Sequence, residues 1–252
     1  MATLAKPVVA KPPETEHGAD LEAVYVWDRV VRVTHWGVAV TLVLLAVTGF
    51  YLGAPFASAP GAAREHFITG WAKVIHFYSA IAFTLCVVSR IVWLFIGPRR
   101  SSWRNFLPVS RRRRRDLLGT LKFYMLIRST PPATIGHNPL AGLSYVAVFG
   151  MYFLIIATGL ALYSVSSYSY MNVWSFLLPM FHGVQGARWL HHVTMWGLLV
   201  FSVAHLFFGS LTSRNEKNGT MDSIISGYKF LPKGLPPDDA DDADDADDAD
   251  DE

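Results

Sequence analysis

The chain has 252 residues, of which 52% are hydrophobic and only 17% charged, where soluble domains carry about a quarter charged residues. Together with a mean hydropathy of +0.28, this excludes an ordinary soluble domain and points to a membrane protein. A single cysteine excludes a disulfide framework, a Cys-rich zinc site and an iron–sulfur cluster held by this chain alone.

Residues 1–24, rich in Pro, Lys and Glu, read as a flexible arm. Four apolar blocks follow, at about 33–52, 75–96, 143–163 and 190–211. A bilayer core about 30 Å thick needs roughly 20 apolar residues, and separated spans of that kind must be helices. The expected fold is therefore all-α and integral to the membrane, a bundle of four transmembrane helices. The first block starts after a polar stretch and lacks a short cleavable core, so it reads as a span and not as a signal peptide. Trp71 is expected to anchor the second at the interface.

Charge sets the expected orientation. Between blocks two and three stand Arg99, Arg100, Arg104 and the run Arg111 to Arg115. The loop between blocks one and two has only Arg64 and Lys73, and that between three and four only Arg188. The arginine loop is expected to be cytoplasmic, with both termini on the same side. Being juxtamembrane, its basic run fits anionic lipid and not nucleic acid. Leu117 to Arg128 reads as a short interfacial helix. Trp174 to Phe181 is too short to span and is expected at the outer interface or against a partner. The net charge of +2 conceals a tail, Asp238 to Glu252, that holds 11 of the 20 acidic residues; the remainder carries 22 basic against 9 acidic residues, a net +13. Residues 231–252, dominated by a DDA repeat, are expected to be disordered.

The histidines carry the chemistry. Ionisable residues inside membrane segments are costly and functional by default. His35 falls at the cytoplasmic start of span one, His76 near the outer start of span two, His191 at the outer start of span four, and His205 deep in span four. His191 and His205 are 14 residues apart, which places them within about 40° on one helix face and about 21 Å apart along it. His192 is about 140° off that face. By depth, His35 matches His205 and His76 matches His191. Two pairs at two levels of a bundle are the geometry of two bis-histidine haems b. Zinc would need more ligands at one site, and a proton relay would usually show carboxylates, which the four blocks lack. Two imidazoles per iron leave no open coordination position, which favours electron transfer over oxygen chemistry. Gly49, 14 residues after His35, would let a flat macrocycle approach the backbone, or serve close helix packing. Arg90, 14 after His76, is placed to pair with a haem propionate, or to snorkel to the interface. Cys86 reads as an inert buried thiol.

These residues resemble a known family. Arg32 to Gly49 (RVTHWGVAVTLVLLAVTG) and Arg188 to His205 (RWLHHVTMWGLLVFSVAH) resemble the two signatures of the b-type cytochrome subunit of membrane-bound nickel–iron uptake hydrogenases. Trp71 to Phe77 (WAKVIHF), Ile135 to Pro139 (IGHNP) and Ile224 to Tyr228 (IISGY) are also similar. The sequence departs at Trp189, where the family usually has a small residue, and at His192, where it often has Arg or His. The resemblance covers about residues 24–230 and implies a four-helix cytochrome domain with two haems b, His35 and His205 on the inner, His76 and His191 on the outer. It implies a subunit that is no enzyme alone. It would anchor the hydrogenase large and small subunits on the outer face of the inner membrane and pass electrons from iron–sulfur clusters to quinone. By similarity to the formate dehydrogenase cytochrome, a quinone site would lie at the cytoplasmic start of helix three, where His137 and Asn138 stand; Asn138–Pro139 is also a turn signal. Rival expectations are the haem subunit of a formate dehydrogenase or thiosulfate reductase-like complex, a diffusible cytochrome b561, and a haem-free anchor or transporter.

Overall fold

The computed structural model describes residues 21–56, 67–98, 101–103, 117–119, 122, 127, 139–166, 172–216 and 219–232. Four long helices dominate them: α1 (Arg29–Gly53), α2 (Ile68–Ile96), α3 (Pro139–Ser166) and α4 (Gly183–Glu216). All four are long and apolar enough to cross a membrane, and the chain is a multi-pass membrane protein. Each helix outruns its apolar block, most of all α4, which starts at Gly183 and not near residue 190. Hydropathy falls off where lipid ends, whereas helical hydrogen bonding continues into the polar flanks.

Local chemistry explains how the helices begin and persist. Asp28 caps α1: its Oδ1 accepts the Val31 N–H at 3.0 Å, satisfying a donor that has no partner within the helix. Pro139 is the first residue of α3, a position whose N–H would be unused anyway. Hydroxyls inside the helices donate to the carbonyl four residues earlier, as Thr41 does to Gly37, Thr84 to Ala80 and Ser202 to Leu198. This keeps polar side chains satisfied where water is absent. Before α4, a 3-10 turn at Asn172–Trp174 and one helical turn at Leu177–Met180 occupy most of the short apolar stretch. Phe176 and Met180 are exposed there. The backbone then turns through His182 and Gly183, both at positive φ.

The chain divides into two compact units. The first comprises Val33–Phe95 and Ala147–Ser202, the greater part of all four helices. Its interior holds Phe83, Val87, Val148, Ala161, Ala187 and Leu198. Phe83 meets Tyr152 edge-on at 5.2 Å, and Phe77 meets Tyr163 at 4.9 Å. Gly37 lies against Cys86 Sγ, where any Cβ would collide, so α1 and α2 approach closely there. The outward faces expose Val33, Val40, Val47, Leu85 and Val200. Such continuous apolar surface is a liability in water and ordinary in lipid.

The second unit comprises Met1–Arg32, Ile96–Val146 and Val203–Glu252. Its described residues include two strands that the all-α expectation did not contain, β1 (Leu21–Tyr25) and β2 (Tyr228–Pro232). They pair antiparallel, with Leu21 opposite Pro232 and Tyr25 opposite Tyr228. Five-residue strands whose partner lies at the other end of the chain leave no local pattern to read. A short helix α5 (Thr220–Ser226) precedes β2. Trp27 Nε1 donates to Ser223 Oγ at 3.0 Å, the Arg32 guanidinium donates to the Ile225 carbonyl at 2.5 Å, and Ser101 Oγ donates to Asp28 Oδ2 at 2.7 Å. Gly227 ends α5 at φ 90°, and a Cβ there would stand 2.7 Å from the Tyr25 ring and 3.0 Å from the Trp27 carbonyl. Only glycine fits, which gives the IISGY segment its reason. Of Leu117 to Arg128, residues 117–119 are helical and most of the rest lies outside the described residues.

Candidate functional site

Helix α2 presents His76 on the face that also carries buried Ser79, Phe83 and Val87, at the three- and four-residue offsets that align side chains on a helix. Helix α4 turns His191, Met195 and Leu198 to one face in the same way; Met195 and Leu198 are buried. Both histidines belong to the four-helix unit, and Gly49 of α1 lies against both His76 of α2 and Met195 of α4, one turn after His191.

Each imidazole is held by a threonine of the helix before its own. Thr48 Oγ1 on α1 is 2.8 Å from His76 Nδ1. Thr158 Oγ1 on α3 is 2.9 Å from His191 Nδ1. The residue after each threonine is a glycine that lies against the ring. A Cβ on Gly49 would be 3.5 Å from His76 Cε1 and 3.8 Å from Met195 Sδ. A Cβ on Gly159 would be 3.4 Å from His191 Cε1. The glycines keep the backbone low beside both imidazoles.

This donor set suits a flat metallated macrocycle. Two imidazoles on different helices, each anchored through Nδ1, would be the residues to hold its iron. The glycine cradles leave room that side chains would fill. Among the described residues, no three of His, Cys, Asp and Glu cluster as a protein-only metal site requires.

The other candidates are placed as follows. His35 on α1 is half-buried and edge-on to Trp36, ring centroids 5.5 Å apart. It belongs to the four-helix unit, whereas His205 belongs to the other. His205 on α4 is half-buried, with Tyr145 of α3 edge-on at 6.3 Å. Arg90 is half-buried on α2. His192 is exposed, its Nδ1 donating at 3.3 Å to the Arg188 carbonyl, so it is His191 that turns inward. His137 and Asn138 lie outside the described residues.

Thr48, Thr158 and Met195 complete the site without having stood out in the sequence. The available signal was a Thr-Gly pair occurring once in span one and once in span three.

Comparison with known proteins gives a consistent picture. A model of the family described as prokaryotic cytochrome b561 matches residues 26–227. A protein of Cupriavidus necator named "Probable Ni/Fe-hydrogenase B-type cytochrome subunit" is 31% identical, over 84% of this chain and 89% of that protein. One of the same name from Azotobacter vinelandii is 28% identical, over 85% and 91%. The "Probable Ni/Fe-hydrogenase 1 B-type cytochrome subunit" of Escherichia coli K12 is 29% identical, over 81% and 90%.

Proposed function

We propose that this chain, which belongs to the prokaryotic cytochrome b561 family, is the membrane cytochrome subunit of a nickel–iron hydrogenase. It holds two haems b and carries electrons from the iron–sulfur clusters of the hydrogenase to membrane quinone. The observation that carries the proposal is the pair His76 and His191, half-buried on neighbouring helices with Nδ1 anchored and a glycine against each ring. The names of the relatives support the hydrogenase as donor over formate dehydrogenase or thiosulfate reductase-like complexes.

Haem b, when bound, would supply a one-electron iron couple. The chain's own residues do the rest. His76 and His191 would hold one haem, and the matching depth that the sequence gives His35 and His205, with the family resemblance, assigns them the second. The apolar helix faces exclude water, and neutral ligands in that setting tune the potential. Arg90 is assigned to a propionate. His137 and Asn138 are assigned to the quinone, one to hydrogen-bond a carbonyl and the other to pass protons taken from the cytoplasm. The arginine loop supports a cytoplasmic location for that side, with the hydrogenase opposite, on the outer face of the inner membrane.

The test is haem per polypeptide, with reduced-minus-oxidised spectra, on the detergent-purified hydrogenase complex. Two low-spin b-type haems per chain are expected. None in the intact complex would overturn the cytochrome reading and favour a haem-free anchor.

A further inference from the structure

We infer that Thr48 and Thr158 are positioning residues that lock His76 and His191 as Nδ1–H tautomers, so that each offers Nε2 to the iron. The inference rests on the haem reading above and goes beyond it, because it says which nitrogen binds and what fixes that choice.

The argument is a count of protons. A threonine hydroxyl has one proton to donate and two lone pairs. Thr48 Oγ1 stands 2.7 Å from the Leu44 carbonyl oxygen and 2.8 Å from His76 Nδ1. Thr158 Oγ1 stands 2.8 Å from the Leu154 carbonyl oxygen and 2.9 Å from His191 Nδ1. In both threonines the carbonyl oxygen, which can only accept, is the nearer of the two partners, and we assign it the hydroxyl proton. The hydroxyl oxygen then faces Nδ1 as an acceptor, and Nδ1 must carry the hydrogen. In a neutral imidazole this leaves the lone pair on Nε2.

Burial makes the choice strict. Thr158 is 0% exposed and Thr48 8%, so water is not at hand to substitute for the hydroxyl. The arrangement also occurs twice with the same local sequence. Thr48-Gly49 on α1 serves the histidine of α2, and Thr158-Gly159 on α3 serves the histidine of α4. In each pair the threonine binds the ring edge while the glycine clears the space beside it. One device, used once per helix pair, thus prepares both ligands of a single haem.

A hydrogen bond accepted from Nδ1–H makes the imidazole more electron-rich and stabilises the oxidised metal. Removing the hydroxyl should therefore raise the potential of one haem and leave the other unmoved. The experiment is optical redox titration and low-spin electron paramagnetic resonance of the intact complex carrying Thr48→Val, Thr158→Val, or Thr48→Ser. Valine keeps the shape and removes only the hydroxyl. Both valine variants should shift the same one of the two haem components to higher potential, with an altered low-spin signal, and Thr48→Ser should restore the wild-type value. If Thr48→Val loses that haem outright, its recovery in Thr48→Ser supports the inference, and its loss there too overturns it. Wild-type potentials in both valine variants, or shifts in two different components, also overturn it while the haem reading stands. Absence of haem from the unsubstituted complex would instead remove the reading beneath it.

Discussion

Replacing Gly159 by valine tests whether the space beside His191 is needed. A Cβ at this position would already stand 3.4 Å from His191 Cε1, ordinary van der Waals contact, so alanine fits without displacing the ring. Valine adds two methyl groups beyond that point, on a side chain that is stiff at χ1 in a helix. The nearest atom it would push is the imidazole itself, whose Nδ1 Thr158 already holds, so the ring has little freedom to give way. Overpacking of this kind costs about 1–3 kcal/mol. Taken from cofactor binding, that weakens retention by roughly 5- to 150-fold. The assay is haem per chain in the purified complex, followed by the rate of haem loss to an excess of an apoprotein acceptor. Gly159→Ala should keep two haems and lose neither faster than wild type by more than a few-fold. Gly159→Val should lose one haem selectively. Two firmly held haems with unchanged potentials in Gly159→Val would refute the view that the glycine clears the ligand's space.

Two further substitutions separate other parts of the reasoning. His191→Ala should leave one haem per chain and stop hydrogen-driven quinone reduction, whereas His192→Ala should keep both haems, because its Nδ1 turns to the Arg188 carbonyl and its side chain is exposed; the reverse pattern by haem analysis would move the ligand by one residue. Asp28→Ala removes the cap on Val31 and the acceptor of Ser101, so hydrogen exchange at residues 29–32 should accelerate by about tenfold, matching a cap worth ~1 kcal/mol or somewhat more, with haem content unchanged.

The parts of this molecule that were legible in the sequence are those whose physics is local. Four runs of apolar residues announce four helices because lipid tolerates no unpaired backbone. His76 and His191 stood out as candidates because an imidazole in a hydrocarbon setting needs a reason, and 3.6 residues per turn favoured His191 over His192; it is His191 that meets Thr158, while His192 is exposed. The β1–β2 pair was not legible, since its two strands are short and its register depends on residues at opposite ends of the chain. Nor was the Trp27–Ser223 bond, which joins residues 196 positions apart. Thr48 and Thr158 escaped for a different reason. A threonine in an apolar helix is common and usually bonds its own preceding turn, as Thr41 does. Only the facing imidazole distinguishes these two, and that requires the packing of neighbouring helices.

That distinction bears on how a membrane bundle acquires one structure. Between helices in lipid, apolar burial gives little drive, since the chains of the bilayer are as apolar as leucine. Residues such as Val40 and Leu85 therefore do not fix the rotation of a helix about its axis; they are content facing outward. Directional contacts must do it. Thr48–His76 ties α1 to α2, and Thr158–His191 ties α3 to α4, while Gly37 against Cys86 allows α1 and α2 the approach that the first bond requires. The same two bonds that orient the candidate ligands thus also set the register of the helices that carry them. The site and the bundle are then specified together, and a hydroxyl lost at either threonine should loosen both.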